Sequence, residues 1–465
     1  MLFSSITFLY YFLPIVLLLY FIAPKKLKNL VLFIASLVFY AWGEPKYVFL
    51  MIFSVAIGYV AGLLMDKLPR KPVMLVSVGL CLFFLIYFKY TNFFITNVNA
   101  VLQTQIPMLK VVMPIGISFY TFQIVSYIID VYRGTVEKQK NFLYLGTYIS
   151  MFPQLIAGPI VRYSDINSQL GDRPFKSEEM ADGIKRFILG LGKKVLLANQ
   201  LGELCQVFRA SGEQTVAFYW VYALATMLHI YFDFSGYSDM AIGLGKFFGF
   251  SFIENFNYPY MSKSVTEFWR RWHMSLGTWF RDYVYIPLGG NRVGRGRQLF
   301  NIFVVWMLTG FWHGAEWNFI IWGLYFAVLL IIEKVWLLEK LKKAKVWNRI
   351  YILLIISISF VIFNANSTAQ MLSDLKNLFF MGGSNEAGLV GTECLYYLKS
   401  YGVILLLSIV GATNLPKQWY QKMRKMAAAD KVLAVLEPVA LLFLLLLSTA
   451  YLIDGSFNPF LYFRF

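Results

Sequence analysis

Long uninterrupted runs of apolar residues constrain this chain more than any other feature. Residues 6–23 and 432–453 are each long enough for a helix to cross the roughly 30 Å hydrocarbon core of a bilayer. Only 14% of the residues are charged, whereas a soluble domain carries roughly a quarter. The first run is too long for the core of a signal peptide and no basic residue precedes it, so we expect a retained span. The sequence therefore predicts a polytopic membrane protein.

The middle third of the chain differs from its two ends. Between residues 113 and 333 the apolar stretches are short and are interrupted by glycine, proline and charged residues. Because unpaired backbone groups cannot face lipid, such segments must pack against protein or line a wet cavity. We expect an all-α polytopic membrane protein in which a ring of about ten or eleven transmembrane helices surrounds broken, re-entrant and interfacial helices that form a funnel or tunnel.

The chain shows neither a soluble domain boundary nor an internal repeat. We expect a single membrane-embedded domain over residues 1–465, with N-terminal spans in 1–110, a core in 111–333, and C-terminal spans with an aromatic tail in 334–465. The lack of a repeat counts against the transporters that are built from inverted repeats.

The basic residues are placed as membrane topology requires. They cluster in alternate connections between apolar runs, for example in 25–28, 67–71 and 334–349, whereas the connections 91–109 and 366–396 hold no such cluster. Under the positive-inside rule the basic connections face the cytoplasm, which puts both termini on the outer face of the plasma membrane. Topology thus accounts for the net charge of +17, and we expect membrane lipids rather than nucleic acid as partners.

Residues 265–283 combine an aromatic face with a basic face at helical spacing. This pattern predicts an amphipathic helix that lies in the membrane interface. His273 falls at the edge of the aromatic face and can point inward, although a snorkelling or capping histidine is the alternative. Basic residues on this helix and in the Gly-rich loop after it could attract the phosphates of a lipid or of an anionic substrate. They are Arg270, Arg271, Arg292, Arg295 and Arg297.

The stretch "TGFWHGAEW" (309–317) places a histidine inside an apolar region. The apolar run 299–311 is too short to cross the bilayer core at about 1.5 Å per residue, so we expect a hairpin that turns within the membrane near His313. An ionisable residue at that depth is a functional candidate, and a histidine hydrogen-bonded only for packing is the alternative. A neutral imidazole accepts a proton from a hydroxyl, as acyl transfer to an alcohol requires. The flanking glycines let another group approach closely.

Four further polar side chains are expected to support the core. His229 and Asp233 are four residues apart on one face of a helix, Asp239 follows them, and Glu316 follows His313. Histidine and carboxylate ligands together can bind zinc. The spacing of these residues matches no metal-binding motif, so we expect no metal ion.

Several segments resemble the signature of the membrane-bound O-acyltransferase family. The similarity is greatest to its bacterial branch, which includes alginate and peptidoglycan O-acetylation proteins and, more distantly, the D-alanyl transferase of teichoic acid systems. The matching segments are "FPQLIAGPIVRY" (152–163), "YFDFSGYSDMAIGLG" (231–245), "EFWRRWHMSLGTWFRDYVYIPLGGNR" (267–292) and "TGFWHGAEWNFIIWGLY" (309–325).

The resemblance implies an O-acetyltransferase of the bacterial inner membrane. It implies a funnel-shaped helical ring with a thin centre, in which His313 matches the invariant histidine of the family and His273 matches a second, supporting one. An acetyl group would move from a cytoplasmic thioester, acetyl-CoA, toward an exported or cell-wall polysaccharide. His313 would be the general base, His273 would orient or polarise the donor, and the arginines would attract its phosphates.

The resemblance also implies a separate extracellular O-acetyltransferase or hydrolase-like protein that completes the transfer. We expect no bound cofactor beyond the acyl donor. The alternatives are transfer of a D-alanyl or other acyl group to an envelope polymer, a membrane transporter, and a non-catalytic scaffold of a polysaccharide export complex.

The C-terminal segment "NPFLYFRF" (458–465) is aromatic and too short to cross the membrane again. One interpretation is an aromatic belt at headgroup depth. The other uses the spacing Phe-x-Tyr-x-x-Phe, which resembles a terminal motif of bacterial envelope-acylation systems. A phenol has a pKa of about 10, so a nearby imidazole could deprotonate it during attack. Tyr462 is therefore a candidate transient acyl carrier.

Overall fold

The computed structural model describes residues 1–156, 158–171, 173–379 and 389–455. Within these ranges all regular secondary structure is helical, as expected. The contacts divide the chain into two compact units, Met1–Phe187 with Tyr237–Glu254, and Ile188–Gly236 with Asn255–Phe465. The prediction of one acyltransferase domain over the whole chain stays a prediction.

The α-helices vary widely in length along the chain. They are α1 Leu13–Ile22, α2 Lys28–Ala41, α3 Val48–Leu64, α4 Arg70–Leu102, α5 Ile117–Arg133, α6 Phe142–Ser150, α7 Phe152–Leu155, α8 Tyr163–Ile166, α9 Ser177–Gly192, α10 Asn199–Ala210, α11 Val216–Phe247, α12 Val265–Trp269, α13 Met274–Phe280, α14 Arg295–His313, α15 Trp317–Ile332, α16 Leu338–Lys343, α17 Trp347–Asn364, α18 Thr368–Leu378, α19 Thr392–Ser400, α20 Gly402–Gly411, α21 Leu415–Arg424 and α22 Ala427–Asp454. Single π-helical turns lie at Phe8–Phe12, Lys193–Ala198, Arg281–Tyr285 and Glu333–Leu337.

Five helices among the described residues are long and apolar enough to cross a bilayer, and a bent pair, α19 with α20, would make six. The five are Pro45–Leu64, Arg70–Leu102, Trp317–Lys343, Trp347–Asn364 and Ala427–Asp454. The run predicted as the first span forms the apolar helix Phe8–Ile22, which is shorter than these. The chain is thus a multi-pass membrane protein, whereas the expected ten or eleven spans and the funnel are not confirmed.

The first unit packs around a helix that is buried on every side. Nearly all residues of α5 are buried, because this helix contacts α3 on one side and α4 on another. An aromatic cluster forms a second centre of the same unit. It consists of Phe8, Phe12, Phe39 and Phe152, whose neighbouring ring centroids are at most 6.1 Å apart. Because polar side chains such as Gln123 and Asp130 are buried on α5 together with its apolar ones, this helix lies in the interior of the unit.

The second unit contains a hairpin formed by α14 and α15, whereas its expected turn within the membrane stays a prediction. Glycines allow its two helices to approach closely, because Gly310 on α14 faces Gly323 on α15. A methyl group at Gly310 would clash with the carbonyl oxygen of Phe319 and would lie 3.0 Å from the Cα of Gly323. The helix before the turn begins at Arg295, four residues earlier than the apolar run, so it is longer than the run alone indicated.

Replacing Gly310 with alanine is expected to destabilise the hairpin by about 1–3 kcal/mol, the usual cost of overpacking a well-filled interface. Gly296 is the matched control, since it lies on the same helix and a methyl group there meets nothing within 4 Å. Thermal unfolding of the purified variants in detergent measures the difference. Equal melting temperatures for Gly310→Ala and Gly296→Ala would contradict the close packing.

Candidate active site

His313 is the last residue of α14 and lies at the tip of the hairpin. Its side chain is buried, with 5% exposure, and Gly314 after it is extended, which ends the helix. The imidazole stands edge-to-face against Trp322, at 5.0 Å between ring centroids, and against Phe363, at 5.3 Å. These aromatic planes fix the ring and surround it with apolar surface.

The segment that bears His273 corrects the sequence prediction. Residues 265–283 do not form one amphipathic helix, since α12 ends at Trp269, α13 begins at Met274, and a π-helical turn follows from Arg281. His273 sits between the two helices with φ 44° and ψ 52°, in the left-handed region, a conformation that costs on the order of 1 kcal/mol outside glycine. The amide of Met274 donates to the carbonyl of Asn255, and the amide of Asn257 donates to that of Arg271. Hydrogen bonds to residues distant in sequence thus replace the backbone hydrogen bonds of the continuous helix that the sequence periodicity predicts.

The break turns the His273 imidazole into the protein, where it is 2% exposed. Its Nδ1 lies 3.1 Å from Oδ1 of Asn255, and the hydroxyl of Ser275 donates to the same oxygen at 2.9 Å. The ring stands edge-to-face on Phe234, at 4.7 Å between centroids. Burial lowers the pKa of His273 to about 3, so the imidazole is neutral at physiological pH.

The two histidines both lie beside the indole ring of one tryptophan. Trp312 lies 5.0 Å from His313 and 6.1 Å from His273 between ring centroids. The structure therefore brings together the two histidines that the sequence singled out, although 40 positions of chain separate them.

A buried glutamate ties the His273 segment to the hairpin. Glu333, which is 1% exposed, lies just after α15 and accepts hydrogen bonds from the amides of Val265 and Thr266 at 2.6 and 2.9 Å. It thus supplies acceptors for free amides at the start of α12. Sequence reasoning missed this residue, because a glutamate between an apolar run and a basic cluster looks like an interfacial charge.

The other residues expected to support the core lie in different places: two are buried in the second unit, one lies in the first unit, and one is exposed. His229 and Asp233 lie on α11 and are buried, and Asp233 forms an ion pair of 2.5 Å with Lys194, which is itself 1% exposed. Sequence reasoning missed Lys194, whose only signal is a lysine pair beside the apolar run at 195–198. Asp239 instead belongs to the first unit.

Asp239 pairs with Arg186 at 2.8 Å, and the same guanidinium pairs with Glu254 at 2.5 Å. Glu316 is exposed, so the expectation that it supports the buried core is wrong. It is the residue before the first turn of α15, in the connection between the two helices of the hairpin.

The arginines differ in how their charges are balanced. Arg270, Arg292 and Arg295 are exposed, whereas Arg271 forms an ion pair of 2.7 Å with Glu267. Exposed guanidinium groups remain accessible to anions.

The described residues contain no group of three histidine, cysteine, aspartate or glutamate side chains that could hold a metal ion. Tyr462 lies outside the described residues.

Comparisons with known proteins agree with the resemblance seen in the motifs. Residues 131–373, which include both histidines of the site, match the model of the membrane-bound O-acyltransferase family. A probable alginate O-acetylase of Azotobacter vinelandii is 37% identical over 501 residues and covers 100% of both chains. A peptidoglycan O-acetyltransferase of Helicobacter pylori is 33% identical over 82% of this chain and 80% of its own.

A third relative carries a different acyl group. The teichoic acid D-alanyltransferase of Bacillus subtilis is 32% identical over 53% of this chain and 65% of its own. The family match covers more than half of the chain, and the first relative aligns over its full length. This chain therefore belongs to the membrane-bound O-acyltransferase family and is a multi-pass membrane O-acyltransferase.

Proposed function

We propose that this chain moves an acetyl group from a cytoplasmic thioester, acetyl-CoA, across the bacterial inner membrane for O-acetylation of a cell-envelope polysaccharide. The observation that carries the proposal is the pair of buried histidines on one indole, in a chain that aligns from end to end with a probable alginate O-acetylase. The polymer-modifying names of the relatives support an envelope acceptor.

His313 acts as the general base in this proposal. Its neutral imidazole takes the proton of an acceptor hydroxyl while the oxygen attacks the thioester carbonyl carbon. The carbon–sulfur bond then breaks, and the CoA thiolate leaves and recovers the proton from the imidazolium. The aromatic walls of Trp322 and Phe363 keep water from competing with the acceptor.

His273 orients or polarises the donor as a neutral group. Asn255 and Ser275 hold its ring in one orientation. Because its pKa is about 3 in the folded protein and about 6.5 in an unfolded chain, the unfolded state binds more protons between these values. The contribution of His273 to stability is therefore complete above about pH 6.5 and falls as the pH drops toward 3.

The donor enters from the cytoplasmic side in this proposal, through a funnel with both termini on the outer face. The exposed Arg270, Arg292 and Arg295 would attract the phosphates of the donor. The supporting observation is the alternation of basic and non-basic connections along the chain.

Single cysteines test this topology. Arg295→Cys is expected to react with an impermeant maleimide only from the cytoplasmic face, and Asn366→Cys only from the outer face; both positions are exposed. The native cysteines Cys81, Cys205 and Cys394 are buried, which keeps the background low. Reaction of Arg295→Cys from outside would invert the topology and the donor route with it.

Tyr462 serves as a transient acyl carrier in this proposal. Tyr462→Phe keeps the ring and removes the nucleophile, so we expect envelope acetylation to be lost while the protein remains in the membrane. Tyr420→Phe, which alters a tyrosine elsewhere in the chain, is the control and is expected to keep acetylation. Full acetylation by the Tyr462→Phe variant would contradict the role as acyl carrier, and the aromatic belt would remain as the interpretation of this segment.

A separate extracellular O-acetyltransferase or hydrolase-like protein completes transfer to the polymer. The similarity to a teichoic acid D-alanyltransferase keeps D-alanyl transfer as the second candidate. Purified protein in nanodiscs, given acetyl-CoA with a radioactive acetyl group, tests the donor by the thiol released and the label bound to protein. If the protein took up label from a radioactive D-alanyl carrier and none from acetyl-CoA, the result would favour D-alanyl transfer.

A further inference from the structure

The first unit contains a basic and aromatic pocket that the proposed chemistry does not use. It lies where α1 ends, α2 begins and α11 ends. Its charged lining residues are Lys28, Arg173, Lys176, Glu179 and Lys246. Four cations and one carboxylate give the pocket a net positive charge.

Arg173 is fixed in the pocket by neutral acceptors. Its guanidinium donates to Oδ1 of Asn29 at 2.7 Å and to the carbonyl oxygens of Gln169 and Leu170 at 2.8 and 3.2 Å. The same group stacks on Phe250, 4.4 Å from the ring centroid. These hydrogen bonds set the orientation of the guanidinium, and because their acceptors are neutral they do not neutralise its charge.

Gly249 allows this arrangement. It has a φ of +79°, and a methyl group there would lie 3.1 Å from Cβ of Arg173. The backbone of the pocket floor can therefore come close to the arginine side chain only because this residue is glycine.

Lys28 and Lys246 add positive charge that their neighbours compensate incompletely, whereas Lys176 forms an ion pair of 2.7 Å with Glu179. Nζ of Lys28 lies 4.7 Å above the ring of Tyr20, a contact with a neutral group. Nζ of Lys246 lies 3.6 Å from the carboxylate of Asp182, whose side chain is 70% exposed. Exposed pairs of this kind bind weakly, so Lys246 can turn to another anion.

The rim of the pocket is apolar and exposed. Phe21 and Phe175 are 40% and 59% exposed and contact each other edge-to-face at 5.6 Å between centroids. Phe21 belongs to the apolar helix α1, and Lys25 and Lys26 follow it. Aromatic and basic residues at the end of an apolar helix are typical of headgroup depth.

We propose that this pocket binds the headgroup phosphate of an anionic phospholipid. Lys28 and Lys246 donate to the phosphate, the fixed charge of Arg173 attracts it, and the acyl chains lie along α1 beside Phe21. A soluble phosphate would use the same cations and would gain nothing from the apolar rim, which is why the structure favours a lipid. The bound lipid would hold the α1–α2 connection to residues 173–176.

The test compares phosphatidylglycerol with phosphatidylcholine. The double variant Lys28→Gln/Lys246→Gln removes two donors and leaves Arg173 in its structural contacts. Lys340→Gln/Lys342→Gln, in the basic cluster after α15, is the matched control because it removes the same charge elsewhere. Lipid retention by native mass spectrometry and the rise in melting temperature on adding each lipid to the delipidated full-length protein are the readouts.

We expect wild type and control to retain phosphatidylglycerol selectively, and the double variant to bind it about 10-fold more weakly or worse. Equal retention by the double variant, or equal binding of phosphatidylcholine by wild type, would overturn the proposal. Inorganic phosphate and CoA form the remaining arms. Displacement of the lipid by either at millimolar concentration would assign the pocket to a soluble phosphate instead. Melting temperatures without lipid check that the double variant folds.

Discussion

Replacing His313 with alanine is expected to abolish acetyl transfer while the protein stays in the membrane at its normal level. The variant loses the proposed general base, and loss of such a group lowers a rate by about 10²- to 10⁴-fold. The aromatic contacts among Trp322, Phe319 and Phe363 do not involve the imidazole, so the hairpin is expected to persist. Release of CoA thiol by purified protein measures the loss.

Glu316→Ala is the matched control for this prediction. Glu316 is three residues away and exposed, so its removal is expected to leave the rate close to that of wild type. Retained activity in His313→Ala would reject the role of His313 as base. Equal loss in both variants would indicate damage to the hairpin rather than loss of a catalytic group.

Replacing His273 with alanine is expected to lower the rate of transfer by about 10²-fold. The reason is that the proposed orientation or polarisation of the donor disappears, whereas His313 remains. The fall should appear in kcat more than in KM, because an orienting group acts mainly on the transition state. Steady-state kinetics on the purified protein measure both constants.

Asn255→Ala distinguishes orientation from packing. It keeps the imidazole and removes the oxygen that lies 3.1 Å from its Nδ1, so we expect a smaller fall in kcat than for His273→Ala. If His273→Ala has wild-type kinetics, the segment serves only as an anchor. If Asn255→Ala lowers the melting temperature without changing kcat, the contact is structural.

The sequence predicts the elements of the site better than their connections. The hairpin at His313 follows from a short apolar run between two basic clusters, because the cost of exposing backbone in lipid is visible in a single sequence. Periodicity placed His273 at the edge of an aromatic face and left its burial open, since that burial depends on the break between α12 and α13.

Features set by long-range contacts were missed. The break at residues 270–273 depends on hydrogen bonds to Asn255 and Asn257, which periodicity cannot show. Glu333 and Lys194 looked like charges at span ends, and their burial depends on partners about 70 and 40 positions away in sequence. Glu316 was assigned to the core only because it lies near His313.

Everted membrane vesicles test the central claim most directly. Their cytoplasmic face points outward, so they can be given acetyl-CoA whose acetyl group and adenine ring carry different radioisotopes. Vesicles with the wild-type chain should accumulate acetyl label in envelope material that an added esterase cannot reach, while the adenine label stays outside. Vesicles with the His313→Ala variant should accumulate neither the acetyl label nor the adenine label. Equal acetyl label in the two preparations, or entry of both labels together, would contradict acyl transfer by this chain.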